Sequence, residues 1–374
     1  MRGLVRTMAA EVLCPATSPL SAGVALKRCN PSSSSFQHQQ VRCIEYKSPR
    51  PKRDAHRPLR SVLFTPGSRI DKMRKALTQV PADVLAFDLE DSVSYDRKVE
   101  AREQVKLALA EDTSPVSLSS RRYITVRVNC QGSKWWTEDL AAMAGTGKVD
   151  AVIIPKVQNA DTLITANELL SRYGASPRMA IWAMIETPAA VMNIKEISQS
   201  ANFVPRLEAL MIGTSDLTNE LHALHHPDRT PLIYSLSSCV VAARAFKLRV
   251  IDGVHLNLND PEGFAAACAQ GRALGFDGKS LIHPKTVAAA NKAFGPRPDE
   301  LAHAERLLQA WRDAQAHGEG LAVVDGQLIE MLHVEEAHRL LATQLNIEAM
   351  EASVHVQAGM RPHSAMATTS DTTH

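Results

Sequence analysis

Residues 180–191 read "AIWAMIETPAAV". Ile181, Trp182, Ala183, Met184 and Ile185 are all apolar, a run of the length and composition that forms a buried strand. The run ends on Glu186, and Pro188 follows two residues later, with the fixed φ that suits the first turn of a helix. A strand thus passes into a helix almost without a loop, and a carboxylate stands at the junction. Such a residue is either a surface charge at a strand end or a metal ligand or catalytic acid.

The same β-then-α unit recurs on both sides of this stretch. Strands are predicted at "SVLFT" (61–65), "DVLAFDL" (83–89), "YITVRVN" (123–129), "DAVIIPK" (150–156), "MAIWAMIE" (179–186), "LEALMIGT" (207–214), "RVIDGV" (249–254) and "GKSLIH" (278–283). Helical patterns lie between them, among them 69–79, 96–110, 159–172, 188–199, 233–247 and 261–274. Eight such units in roughly 230 residues match a (β/α)8 TIM barrel of the α/β class, spanning 58–295. A doubly wound sheet fits less well, because no glycine-rich phosphate loop follows the first strand. "GPRPDE" (295–300) breaks the alternation. After it come a helix over about 298–317, a hairpin around Asp325-Gly326 and a last helix. This helix–hairpin–helix extension, 296–350, reads as a lid, and 351–374, ending "MATTSDTTH", reads as a disordered tail.

Of the 374 residues, 45% are hydrophobic and 22% charged, the balance of a soluble globular protein. A net charge of +2 gives no reason to expect nucleic acid or an acidic membrane as partner, and no apolar run approaches the roughly 18 residues of a membrane span. The basic residues are unevenly placed. Residues 1–57 carry ten Lys or Arg against Glu11, Glu45 and Asp54, around a serine-rich centre. That composition predicts a disordered transit peptide, mitochondrial because arginines begin at position 2, with plastid import or a cytoplasmic location as alternatives. Cys14, Cys29, Cys43, Cys130, Cys239 and Cys268 show no close pairing, which argues against a zinc site or a disulfide framework.

In a barrel of this kind the active site lies at the C-terminal ends of the strands. Those ends carry Asp88, Glu90 and Asp91, then Arg127 and Asn129, Lys156, Glu186, Asp216, Asp252 with His255, and His283. Arginine, lysine, glutamate and histidine are not the usual turn formers, so the rim reads as functional. Glu186 and Asp216, ending adjacent strands, offer hard oxygen ligands suited to Mg²⁺, with Glu90 and Asp91 behind them. The competing reading pairs these carboxylates with Arg127 and Lys156. Arg127 follows an alternating "ITVR" and is expected to face the axis, where it either clamps a carboxylate or salt-bridges Glu90.

These residues lie in motifs with a shared likeness. "SVLFTPGSRIDKMRKAL" (61–77), "DVLAFDLEDSV" (83–93) with "AR" (101–102), "TVRVN" (125–129), "VIIPKV" (152–157), "IETP" (185–188) and "GFDGKSLIHP" (275–284) form an ordered set. Together, over about 60–345, they resemble the citrate lyase β-subunit-like family of CoA-ester lyases. That family includes malyl-CoA and citramalyl-CoA lyases and belongs with the phosphoenolpyruvate-utilising barrels. The resemblance implies a Mg²⁺-dependent carbon–carbon lyase, with Mn²⁺ as substitute ion, acting on a small-molecule CoA thioester to give acetyl-CoA and pyruvate or glyoxylate. It implies Glu186 and Asp216 as metal ligands, and Arg127, Glu90 and Glu330 as catalytic residues. Phe64, Pro66, Gly67, Arg69, Lys72, Lys75, Ile282, His283 and Pro284 would hold the substrate and its CoA, in a homotrimer or homohexamer.

Two departures stand out. "QLIEM" puts Glu330 where many members carry an aspartate that closes over the site, often from a neighbouring subunit. The added methylene moves the carboxyl group by about 1.5 Å, enough to change rate or reaction. "GTSDLTNEL" (213–221) looks more like the free-acid aldolases of the superfamily. A pyruvate aldolase, a malyl-CoA thioesterase and a non-catalytic lyase-like subunit therefore stand as alternatives.

Overall fold

The computed structural model describes residues 56–112, 122–318 and 321–357, the last five by their backbone alone. The transit-peptide reading and most of the predicted tail lie outside those residues. Element by element, the described chain runs β1 (Ser61–Pro66), α1 (Ile70–Gln79), β2 (Val84–Asp88), α2 (Lys98–Glu111), β3 (Tyr123–Arg127), α3 (Trp136–Thr146), β4 (Ala151–Ile154), α4 (Ala160–Arg172) and β5 (Ala180–Ile185). It continues with α5 (Pro188–Met192), α6 (Ile194–Gln199), β6 (Leu207–Ile212), α7 (Thr214–Glu220), α8 (Ile233–Ala245), β7 (Arg249–Asp252), α9 (Pro261–Leu274), β8 (Gly278–Leu281) and α10 (Val287–Phe294). The extension is α11 (Pro298–Ala316), β9 (Ala322–Val324), β10 (Gln327–Ile329) and α12 (Met331–Gln357). All eight predicted strands form; β1 runs one residue past its predicted end, to Pro66, and the other seven lie within their predicted bounds.

Strands β1 to β8 pair in sequence order, all parallel, and β8 returns to β1, closing the barrel. Two apolar clusters follow from the period-two alternation of side chains. Val62, Val84, Ala86, Ile153, Trp182, Met184 and Met211 point inward and fill the barrel. Leu63, Leu85, Ile181, Ile185 and Leu210 point outward against the helices. Toward the N-terminal ends of the strands, Trp182 stacks on Tyr123 with ring centroids 5.5 Å apart, and both donate to Glu208 Oε2. The buried polar tips of both rings are thereby satisfied.

The stretch 188–199 forms two short helices rather than one, meeting at Asn193, whose side-chain amide donates to the Gln158 carbonyl at 2.9 Å. A side chain turned out to a neighbouring loop in this way favours an interruption of the helix.

The extension has packing of its own. Ala304, Leu307, Leu308, Ile329, Val334 and Ala337 form a separate small core. From there α12 runs across the N-terminal face, opposite the mouth. Glu351 is 3.1 Å from Arg60, just before β1, and a cavity of about 640 Å³ lies beneath the barrel, lined by Arg60, Asp277 and Arg339 among others. The last helix also outruns the boundary expected at 350. Met350 is buried and Glu351 is held by Arg60, so the helix is anchored across that boundary.

Candidate active site

Strand parity decides which terminal side chains look into the mouth. In β5, Ala180, Trp182 and Met184 face inward, so Glu186, next in the alternation, does too. In β2 and β3, Asp88 and Arg127 are register partners on the inward face. Arg127 Nε and Nη2 donate to Asp88 Oδ1 and Oδ2, both at 2.7 Å, a two-pronged pairing that fixes the guanidinium plane. Its Nη1 turns to Glu90 Oε2 at 3.1 Å and Asp91 Oδ2 at 3.2 Å, and the Phe64 ring lies 5.2 Å below its Cζ. The expected bridge to Glu90 exists, but Asp88 supplies the stronger hold.

Glu186 is almost fully buried and accepts from the Lys156 N–H at 2.7 Å through Oε1. Its other flank lies on Gly213, where an added Cβ would come within 2.5 Å of Glu186 Cβ and Oε2. Asp216, on the first turn of α7, is close enough to Glu186 to raise its proton affinity. Lys156 reaches Glu90 Oε1 with its ammonium at 3.4 Å, and the buried Lys98 ammonium is spent on the Leu89 and Glu90 carbonyls.

The charges are unequal. Burial pushes the Glu90 carboxyl up to about 8 and the Glu186 carboxyl up to about 7, with neighbouring carboxylates adding to both. Burial would raise Asp88 as well, but Arg127 outweighs it and holds that carboxyl below the usual range. Arg127 is shifted upward, since Asp88, Glu90 and Asp91 overcome the effect of its burial.

A family model described as HpcH/HpaI aldolase/citrate lyase matches residues 60–284, the segment that carries every strand of this barrel. The chain belongs to this family. It is an enzyme of a family whose members include carbon–carbon lyases. It is 41% identical over 296 residues to the (3S)-malyl-CoA thioesterase of Cereibacter sphaeroides, covering 79% of this chain and 98% of that one. Against the L-malyl-CoA/beta-methylmalyl-CoA lyase of Rhodobacter capsulatus the identity is 31% over 303 residues, covering 74% and 92%. Among solved structures it resembles protein CitE from Mycobacterium tuberculosis, in complex with magnesium, acetoacetate and coenzyme A, with 29% identity and a TM-score of 0.59, covering 76% and 97%.

The mouth of this HpcH/HpaI-family enzyme suits a divalent cation. Asp88, Glu90, Asp91, Glu186 and Asp216 face Arg127, Lys156 and Lys98, an excess of negative charge in a partly buried site. Both Glu90 oxygens are buried, and each faces a cation, Arg127 at 3.1 Å and Lys156 at 3.4 Å. Two carboxylates proton-greedy near neutrality, beside a third on α7, form a hard-oxygen set whose repulsion a bound cation relieves. Among the described residues no group of three or more His, Cys, Asp or Glu is placed to hold a metal, so water and substrate would complete the shell.

The remaining site candidates spread around one flank. Because β1 pairs with β8, the segments after them are neighbours, and Phe64, Pro66 and Gly67 lie beside Ile282, His283 and Pro284. Gly67 has a packing reason of its own, since a Cβ there would meet the Asp88 carbonyl at 2.8 Å. Lys72 and Lys75 are exposed on α1, and Arg69 is engaged by Asp71 at 2.9 Å. Asp252 points outward from the barrel, bound by Arg229 and Lys279 at 2.7 and 2.8 Å, away from the mouth. Glu330 is exposed at the start of α12, and its nearest polar partner is His333, whose Nδ1 accepts from the Glu330 N–H at 3.0 Å. None of its contacts among the described residues reaches the mouth of its own barrel. Asp88 and Lys156 are the site residues that sequence reasoning undervalued. The inward parity of "VLAFD" was the available signal for the first; Lys156 was legible at its strand end as a partner for carboxylates, but the turn that aims its N–H at Glu186 was not.

Proposed function

We propose that the chain is a Mg²⁺-dependent lyase that cleaves a 3-hydroxyacyl-CoA of the malyl-CoA or citramalyl-CoA type to acetyl-CoA and a 2-oxo acid. One observation carries the reading: Glu186 and Asp216 face a fixed guanidinium, Arg127, across a mouth that also holds a proton-retaining carboxyl, Glu90. A bound Mg²⁺ would supply charge neutralisation for the 2-oxo acid end of the substrate, held by Glu186 and Asp216.

The chain's residues do the rest. As the hydroxyl proton leaves, the carbon–carbon bond breaks, its electrons move onto the thioester, and the hydroxyl carbon becomes the new carbonyl. Arg127, locked by Asp88, stabilises the thioester enolate that forms. Glu90 and Glu330 are the groups for proton removal and for protonating the acetyl carbon. Glu330 acts in the mouth of a second copy: its hairpin exposes Leu321, Val323, Leu328, Met331 and Leu332, an apolar patch suited to docking. CoA lies along the flank of Arg69, Lys72, Lys75 and Ile282–Pro284.

Thioester hydrolysis is the second reading, favoured by the 41% identity to a malyl-CoA thioesterase and by glutamate at 330. The purified chain, given malyl-CoA and citramalyl-CoA in parallel with Mg²⁺ or EDTA, separates the two. Metal-dependent acetyl-CoA release establishes the lyase; free CoA with malate or citramalate establishes the thioesterase; turnover of neither substrate sinks both.

A further inference from the structure

Lys156 follows β4 with φ of 53°, in the left-handed region that residues with a Cβ seldom occupy. Strain of this kind persists where the surroundings impose it, often at functional sites. Here the turn has a visible consequence. It aims the Lys156 N–H at Glu186 Oε1, 2.7 Å away, while Gly213 supports the other side of that carboxylate. Backbone features beyond β4 and β6 therefore grip the Glu186 side chain from two sides. The Lys156 ammonium meanwhile lies 3.4 Å from Glu90 Oε1 and is 44% exposed at the mouth. A single residue touches both raised carboxyl groups, one through its backbone and one through its side chain. A turn needed for chain direction alone would be met at less strain by glycine or asparagine, and would make no demand on an ammonium.

We propose that Lys156 is a positioning residue with two separable functions. Its left-handed backbone fixes the Glu186 carboxylate for metal binding, and its ammonium holds Glu90 in place for proton transfer. The inference rests on the metal-ligand reading of Glu186 given above.

Two variants of the full chain separate the functions. Lys156→Gly retains the left-handed turn and the N–H but loses the ammonium. Lys156→Val loses the ammonium too, and its β-branched side chain disfavours the turn, drawing the N–H away from Glu186. Direct Mn²⁺ binding, followed by electron paramagnetic resonance of the free ion, reads the metal site without turnover. The glycine variant should bind Mn²⁺ within about threefold of the parent and the valine variant at least about tenfold more weakly, tenfold being about 1.4 kcal/mol. The glycine variant should also melt no lower than the parent, through relief of the strained turn, yet lose about tenfold or more in kcat, with KM little changed. A valine variant that does not fold is replaced by Lys156→Ala, which disfavours the turn less and should weaken Mn²⁺ binding about threefold relative to glycine.

Equal Mn²⁺ affinity in the glycine and β-carbon-bearing variants would overturn the backbone function, and parental kcat in Lys156→Gly would overturn the side-chain function. A split in Mn²⁺ affinity without cleavage of any CoA ester would support the positioning function and remove the lyase reading. Cleavage without the split would do the reverse.

Discussion

At the scale of single residues, Arg127 shows how neighbours turn a charge into a tool. Asp88 takes two of its nitrogens at 2.7 Å, leaving Nη1 on the side of Glu90 and Asp91. Lysine in its place keeps the charge but cannot span both Asp88 oxygens. Steady-state kinetics of Arg127→Lys should show kcat reduced about 100- to 1,000-fold, the scale of losing one preorganised electrostatic donor. Retention of more than about a tenth of parental kcat would mean that the fork geometry does not matter. Glu186→Gln keeps the shape of the side chain and an acceptor for the Lys156 N–H while removing the charge. Calorimetry should find Mg²⁺ binding lost and turnover down by about a thousandfold or more, with the melting temperature held or raised because a buried carboxylate has gone. An unaltered Mg²⁺ isotherm would remove Glu186 from the ligand set.

At the scale of elements, the site depends on the parity of strands, and parity depends on how their entry points are latched. Asp277, just before β8, accepts from the Val250 N–H at 2.7 Å and from Arg244 at 3.1 Å, with Arg249 Nε 3.3 Å away. Burial would raise this carboxyl, but the two guanidiniums outweigh it and hold it below the ordinary carboxylate range. The folded state therefore binds the Asp277 proton less readily than the unfolded one. Its contribution to stability is full above the unfolded pKa of about 3.9 and is lost as pH falls through the lower folded value. Asp277→Asn should reduce stability at neutral pH by about 1–3 kcal/mol and flatten the acid limb of a stability–pH curve measured by urea unfolding. An acid limb as steep as the parent's would place the responsible carboxyl elsewhere.

At the scale of the whole molecule, the mouth and the group proposed to complete it lie apart within one chain. The extension has its own core and spreads over the N-terminal face, and Glu330 makes no described contact with the rim. Complementation between copies follows from the reading of Glu330 as acting in trans. Glu186→Gln and Glu330→Gln, each nearly inactive alone, should regain a measurable share of turnover when co-expressed, because some mixed assemblies pair an intact mouth with an intact Glu330. Co-expression that yields no more than the sum of the separate activities would confine Glu330 to its own chain or remove it from catalysis.

The sequence by itself determined the barrel. Eight apolar runs such as "AIWAMI" alternate with amphipathic stretches, and burial of those runs leaves little choice but parallel strands covered by helices. It also determined that Glu186, Asp216, Arg127 and Glu90 stand at strand ends, because each closes or follows a legible strand. Tertiary structure decided what those ends do to one another. The partner of Arg127 is set by the register of β2 against β3, the grip on Glu186 by a strained turn after β4 and a missing Cβ after β6, and the outward turn of Asp252 by parity in β7. It also decided where α12 goes, since an amphipathic helix shows that it will pack but not against which face. Strand and helix follow from patterns a few residues long, whereas register, backbone strain and docking depend on contacts between residues far apart in the chain.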